Sequence, residues 1–286
     1  MKIPLGTRAV ALASAALLSA SLAYSQEKAY SASAGNAKAS AASEVPRTAD
    51  GHPDLSGVWT FGIDLPPGDL QRVVDGKVTR IHYDQSARHR INNDVAGALP
   101  WEPTPSYKPE FQEKVKSLEA NESKVDPVFY CDKPGTPRIG SPRKIIQLPG
   151  ETIFLYEDIS GDPYRVIPTD GRSHRANANP SAYGDSIGHW EKDVFVVEST
   201  NFVDDTWFGE NGYMHSDKMR VAERLWLTPD HNLVYQATVD DPGVLTKPWT
   251  NSPRVIPPSD DVIDESPTCK EDDAKRLLNL DHHQQR

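Results

Sequence analysis

Three runs decide the fold: TIFLYEDISGDPYRVIPTDGRSHR at residues 152–175, GDSIGHWEKDVFVVEST at 184–200, and KMRVAERLWLTPDHNLVYQATVD at 218–240. In each, short stretches rich in Val, Ile, Leu, Tyr, Phe and Trp alternate with Gly, Asp, Asn and Pro, the pattern of antiparallel strands joined by tight turns. The spacing predicts strands at Lys144–Leu148, Thr152–Glu157, Tyr164–Pro168, Asp185–Trp190, Asp193–Thr200, Lys218–Leu227 and Leu233–Asp240. Pro149-Gly150, Trp190–Asp193 and Thr228–Asn232 supply the connections.

Upstream, Gly57–Phe61 reads as one more strand, Val78–Tyr83 as a short one inside an irregular polar region, and Pro109–Ala120 as a surface helix with Phe111, Val115 and Leu118 on one face. Gly57-Val58-Trp59 resembles the Gly-x-Trp that opens the first strand of lipocalin-like barrels. About eight sequential strands are enough to close a single antiparallel barrel of this calycin type around a ligand-sized interior. A closely related two-sheet β-sandwich has the same signature, so the expected class is mostly β in one of these two forms.

Length and composition set the frame. The chain has 286 residues and a formal net charge of −10, a balance that repels a phosphate backbone and argues against a nucleic-acid partner. Residues 1–25 have a positive start at Lys2 and Arg8, an uncharged apolar run from Ala9 to Ala23, and small residues at Ala23 and Ser25. That is the layout of a secretory signal peptide cut before Gln26. Residues 26–45, rich in Ala and Ser, read as a disordered tether, and residues 46–286 as a single β-rich domain with a polar C-terminal tail. No later run is long and apolar enough to span a bilayer, so the mature protein is expected to be periplasmic or secreted. The two cysteines, Cys131 and Cys269, then form a disulfide; a metal pair is the alternative, although neither has a Cys or His at ligand spacing.

Alternation singles out acidic residues on otherwise apolar faces. Glu223 shares a face with Met219, Val221, Leu225 and Leu227, Glu157 with Ile153 and Leu155, and Glu198 with Val194 and Val196. A carboxylate in such a setting is costly unless paired, and it serves either acid–base chemistry or a structural ion pair with Arg165, Arg172, Arg220 or Arg224. Asp170-Gly171-Arg172-Ser173-His174 and Met214-His215-Ser216-Asp217 sit at strand mouths, where sites concentrate. His174 and His215 are therefore acid–base candidates, with Glu223, Glu157 and Asp170 to orient or share the proton. Arg172 and Arg224 could hold an anionic group, and Tyr156 and Trp226 could form an aromatic wall.

No organic cofactor is expected, since no phosphate-cradling or dinucleotide motif occurs. A divalent metal on His174, His215 and Glu223 is the alternative. Asp204, Asp205 and Asp217 invite a calcium site but fit no compact loop. His189, in line with Ile187, reads as a core histidine.

Pro-Asp-Leu-Ser-Gly-x-Trp at 53–59, Asp-Gly-Arg-Ser-His at 170–174, Gly-Asp-Ser-Ile-Gly-His-Trp-Glu at 184–191, His-Ser at 215–216, Glu-Arg at 223–224, Asp-Asp-Pro at 240–242 and Pro-Trp-Thr at 248–250 together resemble a large group of uncharacterised exported bacterial proteins. The likeness covers most of the mature chain and implies export but no agreed activity. Lys192 stands where that group usually has Gly.

The expected function is an exported enzyme, a lyase, isomerase or hydrolase, working by His and carboxylate acid–base chemistry on an apolar or aromatic small molecule in a barrel pocket. A non-catalytic periplasmic carrier of a lipophilic ligand is the alternative, and an envelope interaction module a further one. The small molecule is the only partner expected, and oligomeric state is left open. For the leader, the intact mass of exported protein should correspond to a chain beginning at Gln26; a mass retaining residues 1–25 would overturn that reading.

Overall fold

Strict alternation makes each strand two-faced, and two such sheets bury their apolar faces against each other. The computed structural model describes residues 44–60, 70–74, 77–81, 103–158, 160–267 and 269–270. One antiparallel sheet has the order β1 (Gly57–Val58), β4 (Lys144–Leu148), β5 (Glu151–Leu155) and β6 (Tyr164–Pro168). The other has β7 (Asp185–Glu191), β8 (Val194–Thr200), β9 (Arg220–Leu227), β10 (Leu233–Asp240) and the short β11 (Trp249–Thr250). β12 (Arg254–Ile256) also pairs with β10. A separate hairpin joins β2 (Leu70–Val74) to β3 (Lys77–Ile81), where the sequence suggests one strand near Val78–Tyr83. The fold is mostly β. Among the described residues neither sheet closes on itself, so the layers are open-edged and no closed barrel is found.

Register explains the core. On the first sheet Gly57, Ile145, Phe154 and Arg165 stand in one inward-facing row. On the second, Trp190, Phe195, Leu225 and Tyr235 form a row, and Gly188, Val197, Glu223 and Ala237 the next. Ile145, Phe154, Ile167, Phe195, Val197, Leu225 and Tyr235 meet in one buried cluster, with Trp59 sealing it from the start of the chain. Trp59 Nε1 donates to Leu55 O at 3.2 Å, so the indole packs without leaving a buried donor unpaired.

A second cluster lies beyond the far ends of β9 and β10, where Met219, Val221, Val239 and Trp249 pack with Phe202, Trp207 and Phe208 of the 201–219 connection. The helix α1 (Pro109–Ala120) covers it with Phe111, Val115 and Leu118, as its apolar spacing predicts. Two short turns of helix follow, α2 (Glu122–Val125) and a 3₁₀ turn at Pro127–Tyr130.

Turn chemistry follows the sequence closely. Pro149-Gly150 links β4 to β5, with Gly150 at φ 83°, the left-handed value that the second central residue of a type II turn requires. In the β7–β8 hairpin, Glu191 pairs with Val194, leaving Lys192 and Asp193 as the turn. Lys192 takes φ 56°, so a non-glycine residue bears left-handed strain of about 1–2 kcal/mol there.

Parity places residues on a face but does not say which face is inner. Glu198 and His189 both lie on the outer face of the second sheet; His189 is 45% exposed between Glu191 and Glu198, and is not a core histidine. Glu157 follows the outward row of Ile153 and Leu155 and pairs with Arg143 at 2.6 Å.

Cys131 and Cys269 form the expected disulfide, 138 residues apart in sequence. In the chain-entropy account a loop of this size contributes up to about 5 kcal/mol. Reduction, or Cys131→Ser with Cys269→Ser, should cost about 2–5 kcal/mol in urea denaturation; a loss under about 0.5 kcal/mol would show that the bridge constrains little.

Candidate functional site

Among the described residues, three gatherings of titratable and polar groups hold most of the residues singled out from sequence. The first lies between the sheets. Arg165 of β6 reaches across the core, its Nη2 standing 2.6 Å from Oε2 of the fully buried Glu223 on β9. The same guanidinium donates to Tyr156 Oη (3.2 Å), Ser186 Oγ (3.0 Å) and Ser199 Oγ (2.9 Å), and Tyr235 Oη donates to Glu223 Oε1 at 3.0 Å. Burial works against the Arg165 charge, but the attraction and hydrogen bonds of Glu223 and Tyr156 together outweigh it, and the guanidinium stays protonated with its pKa raised. The Tyr156 and Tyr235 phenols are pushed up, first by burial. Glu223 is thus the acid that alternation singles out, and its charge is met by the structural arginine partner that the sequence offered as the other reading.

The second group lies in the β6–β7 connection. Asp185 accepts from Arg175 N at 2.9 Å and Arg175 Nε at 2.5 Å, and its Oδ2 is 3.2 Å from His174 Nδ1. Burial raises the Asp185 pKa, but the Arg175 backbone N–H, its guanidinium and His174 together hold the carboxyl below its usual range. Nearby, Asp170 is drawn down to about 2 by hydrogen bonds from the Arg172 guanidinium, on an exposed turn where the two residues engage each other.

The third group surrounds a cleft of about 310 Å³ at the end of the second sheet. Its floor is formed by the buried Met214, His215 and Val244, with Phe111 of α1 at one side. Four exposed charges line the cleft: Lys114, Asp204, Asp217 and Lys218. Several links fix its walls. Tyr107 Oη donates to Met214 O at 2.7 Å, and Lys108 Nζ to Pro242 O at 2.6 Å, hooking the start of α1 onto two loops. The buried Asp241 accepts from Ser216 N (2.6 Å), Ser216 Oγ (2.7 Å) and Gly243 N (2.8 Å). A Cβ at Gly243 would stand 2.2 Å from Ser216 Oγ, so only glycine permits this approach.

His215 is the chemically distinctive residue of the cleft. Its Nδ1 lies 3.0 Å from Ser216 O, and since a carbonyl only accepts, Nδ1 carries the proton. Nε2 is then the basic nitrogen and accepts from Thr206 Oγ1 at 2.8 Å. Burial lowers the imidazole pKa, opposed in part by the Ser216 carbonyl and by Asp241, Asp204 and Asp205. The outcome is a neutral, tautomer-fixed histidine.

Of the residues singled out from sequence for catalysis or substrate binding, the cleft takes His215 alone; Asp204 and Asp217, singled out for calcium, also line it. His174 pairs with Asp185, Asp170 with Arg172, and Glu157 with Arg143. Tyr156 joins Arg165 in the core, while Arg224 bonds Glu191 at 2.8 Å on the outer face that it shares with Trp226. The His174, His215 and Glu223 metal set is not gathered, and among the described residues no three His, Cys, Asp or Glu side chains converge as ligands. The same residues contain no helix long and apolar enough to cross a membrane. Sequence reasoning missed Lys114, Lys218, Val244 and the Thr206 partner. Only Lys114 had a usable signal, three residues after Phe111 and beside the apolar stripe of α1. No family model, curated protein or solved structure matches this chain.

Two outcomes are expected. Glu223→Leu alone should cost about 3–5 kcal/mol in urea denaturation by stranding the Arg165 charge, and adding Arg165→Met should recover most of that loss; a single-variant cost below about 1 kcal/mol would show that the pair is not closed in solution. For His215, a folded pKa below the unfolded value means stability that is complete above the ordinary imidazole range and lost as pH falls through the folded pKa. From about pH 7.5 to about pH 5 the protein should lose more stability than its His215→Gln variant; equal slopes would assign the loss to other groups.

Proposed function

We propose that the protein is an exported enzyme that carries out acid–base chemistry on a small molecule with an apolar or aromatic body, held in the cleft beside α1, with His215 as proton acceptor. The observation that carries this reading is the neutral, tautomer-fixed imidazole in the floor of a cleft near the lower end of small-ligand volumes, about 300–1,000 Å³. The Ser216 carbonyl holds the ring proton on Nδ1, which keeps Nε2 available as the base, in the geometry of a base oriented by a second partner. The proton is taken up at Nε2, where the Thr206 hydroxyl now donates. The Cys131–Cys269 bridge supports an oxidising compartment and hence export.

This reading moves the substrate out of the space between the sheets, where a ligand-filled barrel interior was expected. Phe154, Phe195, Leu225 and the Arg165–Glu223 pair fill that space. A lyase, isomerase or hydrolase reaction fits a site whose working group is a single neutral base. The carrier reading has one observation in its favour: both ring nitrogens of His215 are already bonded within the fold.

The test is ¹H NMR of the mature protein with a library of small aromatic and aliphatic esters, hydroxy acids and enolisable acids. At least one compound should be converted, and His215→Gln should lose about 10²–10⁴-fold in turnover while binding that compound within about threefold of the parent protein. Undiminished turnover in the variant removes His215 as the base; binding without conversion across the library establishes the carrier.

A further inference from the structure

Around the cleft stand two lysines and two aspartates that do not neutralise one another. Lys114, Lys218, Asp204 and Asp217 all line it and are exposed, and none forms an ion pair with another described side chain. Some exposed charges elsewhere are paired: Arg47 with Asp193 at 2.9 Å, Lys116 with Glu113 at 2.8 Å and Arg172 with Asp170 at 2.5 Å. Below the uncommitted charges the floor turns apolar, with Met214 and Val244 buried and Phe111 alongside.

From this juxtaposition we propose that the ligand of the cleft is a small zwitterion with an apolar side chain, an α-amino acid or an equivalent amphoteric molecule. The proposal rests on the reading of the cleft as the ligand site and goes beyond it by naming both charges. A purely anionic ligand would satisfy the lysines and meet repulsion from Asp204 and Asp217, and a cation would meet the reverse. Only a molecule bearing both signs is complementary to the whole set. Its carboxylate faces Lys114 and Lys218, its ammonium faces Asp204 and Asp217, and its side chain lies against Phe111, Met214 and Val244. Asp241 holds the 214–218 loop at Ser216, so the backbone that carries Asp217 and Lys218 is positioned before the ligand arrives.

Three probes of one shape separate the charges: L-phenylalanine carries both, 3-phenylpropanoate lacks the ammonium, and 2-phenylethylamine lacks the carboxylate. Dissociation constants are measured by chemical-shift titration of the full mature protein, with the shifted resonances mapped onto the chain. L-phenylalanine should bind at least about fivefold more tightly than either analogue, with shifts centred on residues of the 214–218 loop. Asp217→Asn should erase its advantage over 3-phenylpropanoate and Lys218→Met its advantage over 2-phenylethylamine; both positions are exposed, so neither change threatens folding. If 3-phenylpropanoate binds as well as L-phenylalanine and Asp217→Asn changes nothing, the zwitterion is overturned while the cleft stands as a ligand site. If none of the three binds, or the shifts lie elsewhere, both proposals fall.

Discussion

A buried arginine and a buried glutamate cannot be stranded separately, and the meeting of the two sheets turns on that constraint. Arg165 belongs to β6 and Glu223 to β9, so the ion pair closes only when the first sheet lies over the second in one register. A one-residue slip of β9 would turn Glu223 outward and bring Arg224 inward against Arg165. Hydrophobic contacts tolerate small shifts; a charge pair with hydroxyl partners on β7, β8 and β10 does not. In net energy such a pair is close to neutral against a well-packed apolar replacement. Its contribution is specificity: the second sheet's inner face has one place for the Arg165 guanidinium.

Given that registration, the connections at one end of the second sheet are positioned as a group. The 201–219 segment leaves β8 and returns to β9, the 241–248 turn leaves β10, and both reach the cluster that α1 covers. Asp241 binds the first of these to the second, and Tyr107 and Lys108 bind the helix to both. The cleft is the space left among three elements that core packing and a few directed hydrogen bonds have already fixed. His215 is neutral there because the packing that shapes the cleft also removes water from the imidazole.

How far these features could be read in the chain depends on their range. Period-2 alternation identified the longer strands of both sheets but not the short β11 and β12, and Pro149-Gly150 its turn, because both signals are local. Alternation also put Glu223 on a shared face with Val221 and Leu225, correctly inward. The same logic set His189, Glu198 and Glu157 among apolar neighbours as if inward, although all three lie on outer rows, since parity defines two faces and an outer face can carry its own apolar residues. Among the described residues the barrel expectation finds no closure, which depends on pairing between distant edges that no local pattern records. The cleft was least legible. Its residues come from α1, the 201–219 connection and the 241–248 turn, and His215 stood out only by its type and its place at a strand mouth. Nothing in the order Lys114, Asp204, Lys218, Val244 announces that these residues meet.

The Cys131–Cys269 bridge closes a covalent ring that contains every strand from β4 to β12. A protease cutting any loop inside that ring opens the chain without releasing a piece of it, because both fragments remain tied through sulfur. Here one nick in the exposed β6–β7 or β9–β10 connection would leave the two sheets as a joined pair able to stay docked, whereas the same cut in the stretch before Cys131 would free the N-terminal β1 segment.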